Sequence, residues 1–417
     1  MTALRVLLLE ASGPEATAIA DTAGSRGYQV YAVTQADRWA GYSDELRRTL
    51  AGHLLTDLSA PAHALGTVLA YARKLNADAV LTTNEYLTPL ASAVCAELGL
   101  PGNDHLTAHA ARNKAEMADR FARCGVPAPR TFVVRDRVDA EVRLAESRLG
   151  YPMVVKPAEA AGSSGVTVVE DPADLSAALR RAISQLSMYG ARLDPRVLIQ
   201  EHVAGTEFSV ESLTQNGITT HLCLTRKLVA SGPARVETGH ALPANAGSHT
   251  TTILEAARCA IAAVGITNGA SHTEVMLSND GRCKIIEVAA RIGAGHIGFL
   301  IHHALGIDPW TACLDIALGR PAKLTPPADR HATVRFLTSP RAGRLVAITG
   351  LPEVSAEVPI VRVRTPVGAD VHVAADNSGR LGCFAVVGSD ATSVMERADG
   401  LLANIVIDVE PVGVSAN

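Results

Sequence analysis

The chain contains no Cys-x-x-Cys pair, no apolar run long enough to span a membrane, and few aromatic residues. Its seven cysteines (Cys95, Cys124, Cys223, Cys259, Cys283, Cys313 and Cys383) are odd in number and far apart. They read as buried thiols of a reducing compartment, against a disulfide frame or a zinc site. Aromatic residues make up 4% and the arginines are scattered, which argues against a nucleic-acid surface. A formal net charge of −4 and a pI of about 6.4 imply no polyanionic partner. The apolar start, residues 4–9, is short and lacks the basic flank and cleavage pattern of a signal peptide, so a cytoplasmic location is expected, with no membrane partner. Neither Gly-x-Gly-x-x-Gly after the first strand nor Gly-x-x-x-x-Gly-Lys-Ser/Thr occurs, which excludes the two commonest nucleotide loops as written.

What is present is core. Over 417 residues, 47% are hydrophobic and 19% charged, a length and composition for two or three globular domains. Strand-like and helix-like stretches alternate through residues 4–9, 14–27, 28–34, 53–56, 62–75, 79–83 and 87–98. That order predicts a parallel, doubly wound sheet ending near Gly102, serving as scaffold. From His105 a charged helix containing Asn113-Lys114-Ala115-Glu116-Met117 runs to Cys124, followed by a strand at 130–134 and a helix at 139–149.

A buried strand at 151–157 ends in Lys156-Pro157 and leads to the small-residue loop Gly162-Ser163-Ser164-Gly165. Most such loops are plain turns. A lysine just before one, however, puts a cation beside backbone N–H groups that can approach phosphate oxygens. The strand through Gln200, Glu201 and Val203 turns at Ala204-Gly205 toward Glu207, a grouping that resembles an adenosine slot. Asn216-Gly217 marks a hairpin whose second strand carries Lys227, and residues 235–243, with Glu237 and His240 three apart, read as a solvated loop. A helix at 251–264 follows.

The chain then reads Thr273-Glu274-Val275-Met276-Leu277, a turn containing Asp280-Gly281, and Ile285-Ile286-Glu287-Val288-Ala289-Ala290-Arg291. With Asp280 and Gly281 as a two-residue loop, Val275 and Leu277 share a core face with Ile286 and Val288, and Glu274 faces Glu287. Like charges directly opposite destabilise a sheet. Two solvated carboxylates are the plain reading; a pair of hard oxygen ligands for Mg²⁺ is the functional one.

Lys114, Val155-Lys156-Pro157, the Gly162–Gly165 loop, Gln200-Glu201-His202-Val203, Glu207, Glu274 and Glu287-x-x-x-Arg291 occur in the order and spacing of ATP-grasp ligases, which this chain resembles over about residues 105–320. Within that superfamily it looks most like the L-amino acid ligases that make dipeptides, through Glu237-x-x-His240-Ala-Leu-Pro, 267–274, the 285–291 run and, in the tail, Arg335-Phe-Leu, Gly343-Arg-Leu-Val and residues 380–386. The resemblance implies an α/β (α+β) architecture: an N-terminal parallel doubly wound domain over 1–104, an ATP-grasp domain over 105–320 with a lid loop at about 160–166, and a small β-rich closing domain over 321–417.

It also implies an ADP-forming carboxylate–amine ligase that proceeds through an acylphosphate. Lys114, Lys156 and the Gly162, Ser163, Ser164, Gly165 loop would bind phosphates, Glu201 and Val203 adenine, and Glu207 ribose. Lys227 and His272 join the site. Glu274 and Glu287 would bind Mg²⁺, with Mn²⁺ as a substitute, and Arg291 would meet the developing oxyanion. Glu237 and His240 would hold the amino groups or act as base. Partners would be small-molecule amino acids or related acids and amines, and a homodimer is common among relatives. One departure stands out: Ala289 replaces the Asn that often follows the second metal carboxylate by two. The rivals are a ligase joining an amino acid to another acid or amine, a bicarbonate-activating carboxylase, and a binding module without turnover.

Overall fold

The computed structural model describes residues 3–147, 149–188, 191–230 and 235–411. Its first sheet is four parallel strands, β1 (Arg5–Leu9), β2 (Gln29–Thr34), β3 (Leu50–Leu55) and β4 (Ala79–Leu81), in the order β3-β2-β1-β4. The strand expected at 53–56 thus starts three residues earlier. Successive side chains of β1 serve opposite cores. Leu7 and Leu9 pack with Val68, Ala72 and Val94 of the helices Pro61–Leu75 and Thr88–Leu98; Val6 and Leu8 pack with Ile19, Ala23 and Leu314. Burial on both faces explains why β1 is apolar at every position after Arg5.

A second sheet is antiparallel: β5 (Thr131–Val134), β6 (Met153–Pro157), β7 (Thr167–Val169) and β10 (Val197–Glu201), ordered β5-β10-β6-β7. A short hairpin, β8 (Ser187–Met188) and β9 (Ala191–Arg192), precedes β10. One face of this sheet covers helix Leu175–Ile183 through Val155, Val169, Ile199, Ala178 and Leu179. The charged helix is shorter than the sequence suggested. It runs Lys114–Cys124, with Asn113 as the cap accepting from the N–H groups of Ala115 and Glu116, and a 3₁₀ turn occupies Ala108–Ala111.

The largest sheet has eight strands: β11 (Gly205–Gln215), β12 (Ile218–Val229), β13 (Glu237–Leu242), β14 (Gly269–Ser278), β15 (Cys283–Ala289), β16 (His331–Thr338), β18 (Ile360–Val363) and β20 (Arg380–Gly388), in the order β15-β14-β11-β12-β13-β16-β20-β18. Strands from both sides of residue 320 therefore share one sheet. The stretch read as a solvated loop, 235–243, is instead the strand β13, hydrogen-bonded to β12 on one side and β16 on the other. Its second partner lies roughly ninety residues ahead in the chain, out of reach of local pattern. At Gly239 an added Cβ would lie 2.3 Å from the Val334 carbonyl oxygen, so the β13–β16 approach requires glycine there.

The β14–β15 hairpin keeps Glu274 opposite Glu287 by a different route from the one expected. Its loop is one residue longer, with Leu277 facing Cys283 and Val275 facing Ile285, and a bulge between Glu274 and Val275, where Ile286 has no cross-strand partner, restores the register at Glu274. Val275, Ile285 and Val288 are therefore the core residues, packed on Ile253, Ala257 and Ile261 of helix Thr250–Ala263. Ile286, expected in that core, is only half-buried and turned toward a cavity. The tail completes the molecule with a three-stranded sheet of β17 (Gly343–Thr349), β19 (Asp370–Val371) and β21 (Val406–Glu410), whose Leu345, Val371 and Val409 pack with Val394 and Ala398 of helix Ala391–Ala403. Among the described residues no helix is long and apolar enough to cross a membrane.

Candidate active site

Alternation along the large sheet segregates chemistry by face. Phe208, Val210, Leu224 and Val275 go to the core, while the cross-strand pairs Ser209–Glu274, Glu211–His272, Lys227–His240 and Glu274–Glu287 line the opposite face. Lys227 is the hub. Its Nζ lies 2.6 Å from Glu274 Oε1, 2.8 Å from Glu237 Oε1 and 2.9 Å from Glu207 Oε1. Burial alone would lower its pKa, but Glu207, Glu237 and Glu274 hold it well above the usual lysine value.

The same attraction works in reverse on the carboxylates. Burial would raise Glu237, yet Lys227, His240 and Arg380 keep it well below the carboxylate range; Glu274 is likewise lowered, against burial, by Lys227 and His272. Glu237 also meets His240 Nε2 at 3.2 Å and Arg380 Nη2 at 2.7 Å, and Glu207 meets Arg235 Nη2 at 2.9 Å. His240 Nδ1 is 3.3 Å from the Gly295 carbonyl oxygen. Behind this row, Glu211 accepts from Ser209 Oγ at 2.6 Å and lies 2.9 Å from His272 Nδ1. Burial disfavours the His272 imidazolium, but the Glu211 charge and hydrogen bond win and raise its pKa to about 9.

Between the hairpin, the helix Lys114–Cys124 and the sheet of β5, β6 and β10 lies a cavity of about 420 Å³. Lys114, Met117, Thr131, Lys156, Gln200 and Ile286 are among its lining residues. Lys156 Nζ donates to Gln200 Oε1 at 2.9 Å, and burial lowers its pKa to about 8. Lys114 Nζ donates to the Ala160 carbonyl at 2.8 Å and lies 3.0 Å from Glu287 Oε1. Glu201 ends β10 with Oε2 accepting the Arg130 N–H at 3.1 Å, and Val203 lies two residues beyond, half-buried.

Gly162, Ser163 and Gly165 adopt positive φ, so the Gly162–Gly165 loop is a chain of tight turns. Ser164 Oγ donates to Gln185 at 2.9 Å, and the Gly162 carbonyl accepts from Asn377 N–H at 3.0 Å. The structure thus gathers Lys114 and Lys156 at the cavity, with Glu287 held by Lys114, and Glu207, Lys227, Glu237, His240 and Glu274 in one network. Arg291 is half-buried and bonded to Glu85 of the first domain, with Nε donating to Oε2 at 2.8 Å and Nη2 donating to the same oxygen.

Glu85, Glu211, Arg380 and Asn377 were not singled out in the sequence. Only Glu211 had a usable signal there, as Glu207-x-Ser209-x-Glu211 repeats a polar residue at strand period. Two facing carboxylates, each met by a lysine ammonium group, form a donor set suited to a hard divalent cation completed by phosphate oxygens. Among the described residues no three His, Cys, Asp or Glu side chains form an all-protein metal cage.

Residues 149–299 match the ATP-grasp domain, residues 20–102 the ATP-grasp N-terminal domain, and residues 335–410 the L-amino acid ligase C-terminal domain 2. The chain therefore carries ATP-grasp domains, which belong to a class whose members use ATP and divalent metal ions. Its tail is similar to the C-terminal domain of the L-amino acid ligases.

It is 27% identical to dapdiamide A synthase of Enterobacter agglomerans over 74% of this chain and 72% of that one. It is 28% identical to alanine–anticapsin ligase of Bacillus subtilis (strain 168) over 62% of this chain, spanning only 57% of that relative's length. The crystal structure of L-amino acid ligase from Bacillus licheniformis superposes with a TM-score of 0.81 at 22% identity, covering 98% of this chain and 99% of that one.

Proposed function

We propose that the protein is an ATP-dependent ligase that activates an amino acid carboxylate as an acylphosphate and joins it to an amine, releasing ADP and phosphate. The observation that carries this reading is the one-sided array of the large sheet, where Glu274, Glu287, Lys227 and Glu237 stand beside a lysine-lined cavity. Phosphoryl transfer is mainly positioning and charge neutralisation, which is what such an array supplies.

In this reading Lys114 and Lys156 hold phosphate oxygens, and the Gly162–Gly165 loop offers backbone N–H groups and closes over them as a water-excluding lid. Glu201 and Val203 frame the adenine, and Glu207, steadied by Lys227, takes the ribose. Glu274 and Glu287 would hold Mg²⁺ or Mn²⁺, whose charge would offset that of the phosphates. Ala289 contributes no ligand, so the remaining shell falls to water and phosphate oxygens. Arg291 meets the oxyanion, where one preorganised donor is worth roughly 2.7–4 kcal/mol of barrier. Glu237 and His240 receive the amino group, and their mutual contact lets either accept a proton from the attacking amine. The names of the relatives support amino acids or close analogues as substrates.

The test is phosphate release from ATP and Mg²⁺ with amino acids singly, in pairs, and with bicarbonate. Release with particular pairs is expected and identifies both substrates. Release with bicarbonate alone would move the protein to the carboxylases, and silence throughout would leave a nucleotide-binding module.

A further inference from the structure

The buried charges around Arg291 are unevenly matched. Glu85 Oε2 engages Arg291 Nε and Nη2, and Arg291 Nη1 donates to the Ile292 carbonyl at 3.1 Å, so all three nitrogens of the guanidinium are engaged. The other Glu85 oxygen, Oε1, is 3.7 Å from Arg112 Nη1, beyond hydrogen-bond range. Arg112 is 4% exposed, lies 3.7 Å over the Tyr86 ring and donates through Nη2 to the Glu159 carbonyl. Its Nε and Nη1 are buried with no hydrogen-bond acceptor among the described residues. An orphaned charged donor in a native interior is costly and asks for a reason. Burial would raise the Glu85 pKa, but Arg291, Arg112 and Lys114 bring it down to about 2, so it stands as a carboxylate beside Arg291.

We propose that Glu85 is a positioning residue exchanged between two arginines: it holds Arg291 until the anionic reacting group arrives, then turns onto Arg112 and leaves the Arg291 fork to that group. The identity of the group, a carboxylate becoming an acylphosphate, rests on the ligase reading above. Arg112 suits the receiving role because the ring stack and the Glu159 carbonyl fix its plane while two donors stay uncommitted. The terminal torsion of a glutamate is broad, so the turn needs no backbone movement. The charges agree. Among the described residues Glu85 is the carboxylate in close contact with Arg291 and nearest to Arg112. The Glu287 and Glu15 charges act on Arg291, and the Glu159 charge on Arg112, from further off, so an incoming anion takes the direct contact that Glu85 gives up.

The test compares wild type with Arg112→Gln, Glu85→Gln and the double variant. Two readouts are used: phosphate release at saturating ATP, and calorimetric titration of inorganic phosphate in the presence of ADP and Mg²⁺. Without its alternative partner, Glu85 stays on Arg291. Arg112→Gln is therefore expected to lower kcat about a hundredfold with KM for ATP little changed. Removing the Glu85 charge as well should free Arg291, so the double variant should recover at least about tenfold over Arg112→Gln alone.

A scaffold role predicts the opposite, with the double variant at or below the weaker single one, and that result overturns the proposal. Should Arg112→Gln fail to fold, Arg112→Lys keeps the charge without the fork, and Glu85→Gln must rescue it in the same way. If wild type releases no phosphate with any amino acid pair, the ligase reading fails while the phosphate titration still decides the exchange. Weaker binding in Arg112→Gln restored in the double variant supports it, and equal affinities across the four proteins refute it.

Discussion

Two buried charge clusters meet at this site, and they are completed to different degrees. Around Lys227 every carboxylate has a close cationic neighbour: Glu207 has Lys227 and Arg235, Glu237 has Lys227, His240 and Arg380, and Glu274 has Lys227. Around Glu85 one carboxylate binds Arg291 closely and Arg112 only at 3.7 Å, and two Arg112 donors have no hydrogen-bond acceptor among the described residues. The first cluster fixes where carboxylates stand. The second has room to change partners. A buried ion pair is weak evidence for stability, but a satisfied network rigidifies its members, and an unsatisfied buried donor is costly and calls for an explanation.

The comparison can be broken most directly at the edge of the first cluster. Glu287→Ala should abolish ADP formation, and near-normal turnover in that variant would remove the metal assignment. Lys227→Met should remove the cation shared by Glu207, Glu237 and Glu274, leaving Glu207 to Arg235, Glu237 to His240 and Arg380, and Glu274 to His272, and cost about 3–5 kcal/mol, read as a lower urea midpoint. An unchanged midpoint would mean the network is not the scaffold described here. Glu237→Ala and His240→Ala should each weaken use of the amino substrate by about tenfold or more while nucleotide still binds, and unaltered substrate kinetics in both would detach them from the amine.

The smallest effect concerns pH. Burial has already lowered the Lys156 pKa to about 8, so its positive charge is complete below that pH and is lost as pH rises through it. The kcat/KM for ATP should fall above about pH 8 in wild type. In Lys156→Arg, whose side chain stays charged, that limb should disappear.

The large pieces were legible because they repeat a local rule. Strand and helix alternation gave the parallel sheet, and Asn216-Gly217, with both residues at positive φ, gave the β11–β12 turn. The facing pair Glu274 and Glu287 was found although its register was derived from the wrong loop length, because the bulge beside Ile286 cancels the extra residue. Nothing in that local sequence announces the bulge. The strand β13 was missed for a different reason: Glu237 and His240 look like loop residues until Arg380, Lys227 and the Gly295 carbonyl are brought to them from other parts of the chain. Arg291 and Glu85 are 206 residues apart, so only the packing of the first domain against the large sheet pairs them. Local pattern reports which residues share a face. It does not report which distant charge will neutralise them.

The eight-stranded sheet has a practical consequence for recombining this protein with its relatives. His240 sits opposite Val334, and Thr333 Oγ donates to the His240 carbonyl at 2.8 Å, so the strand bearing Glu237 and His240 takes its register partly from the tail. Exchanging residues 321–417 is then not a swap of a peripheral module. It resets, residue by residue, the rail on which the proposed amine-binding groups are mounted, and a chimera will keep its specificity only if the donor tail presents the same register at β16.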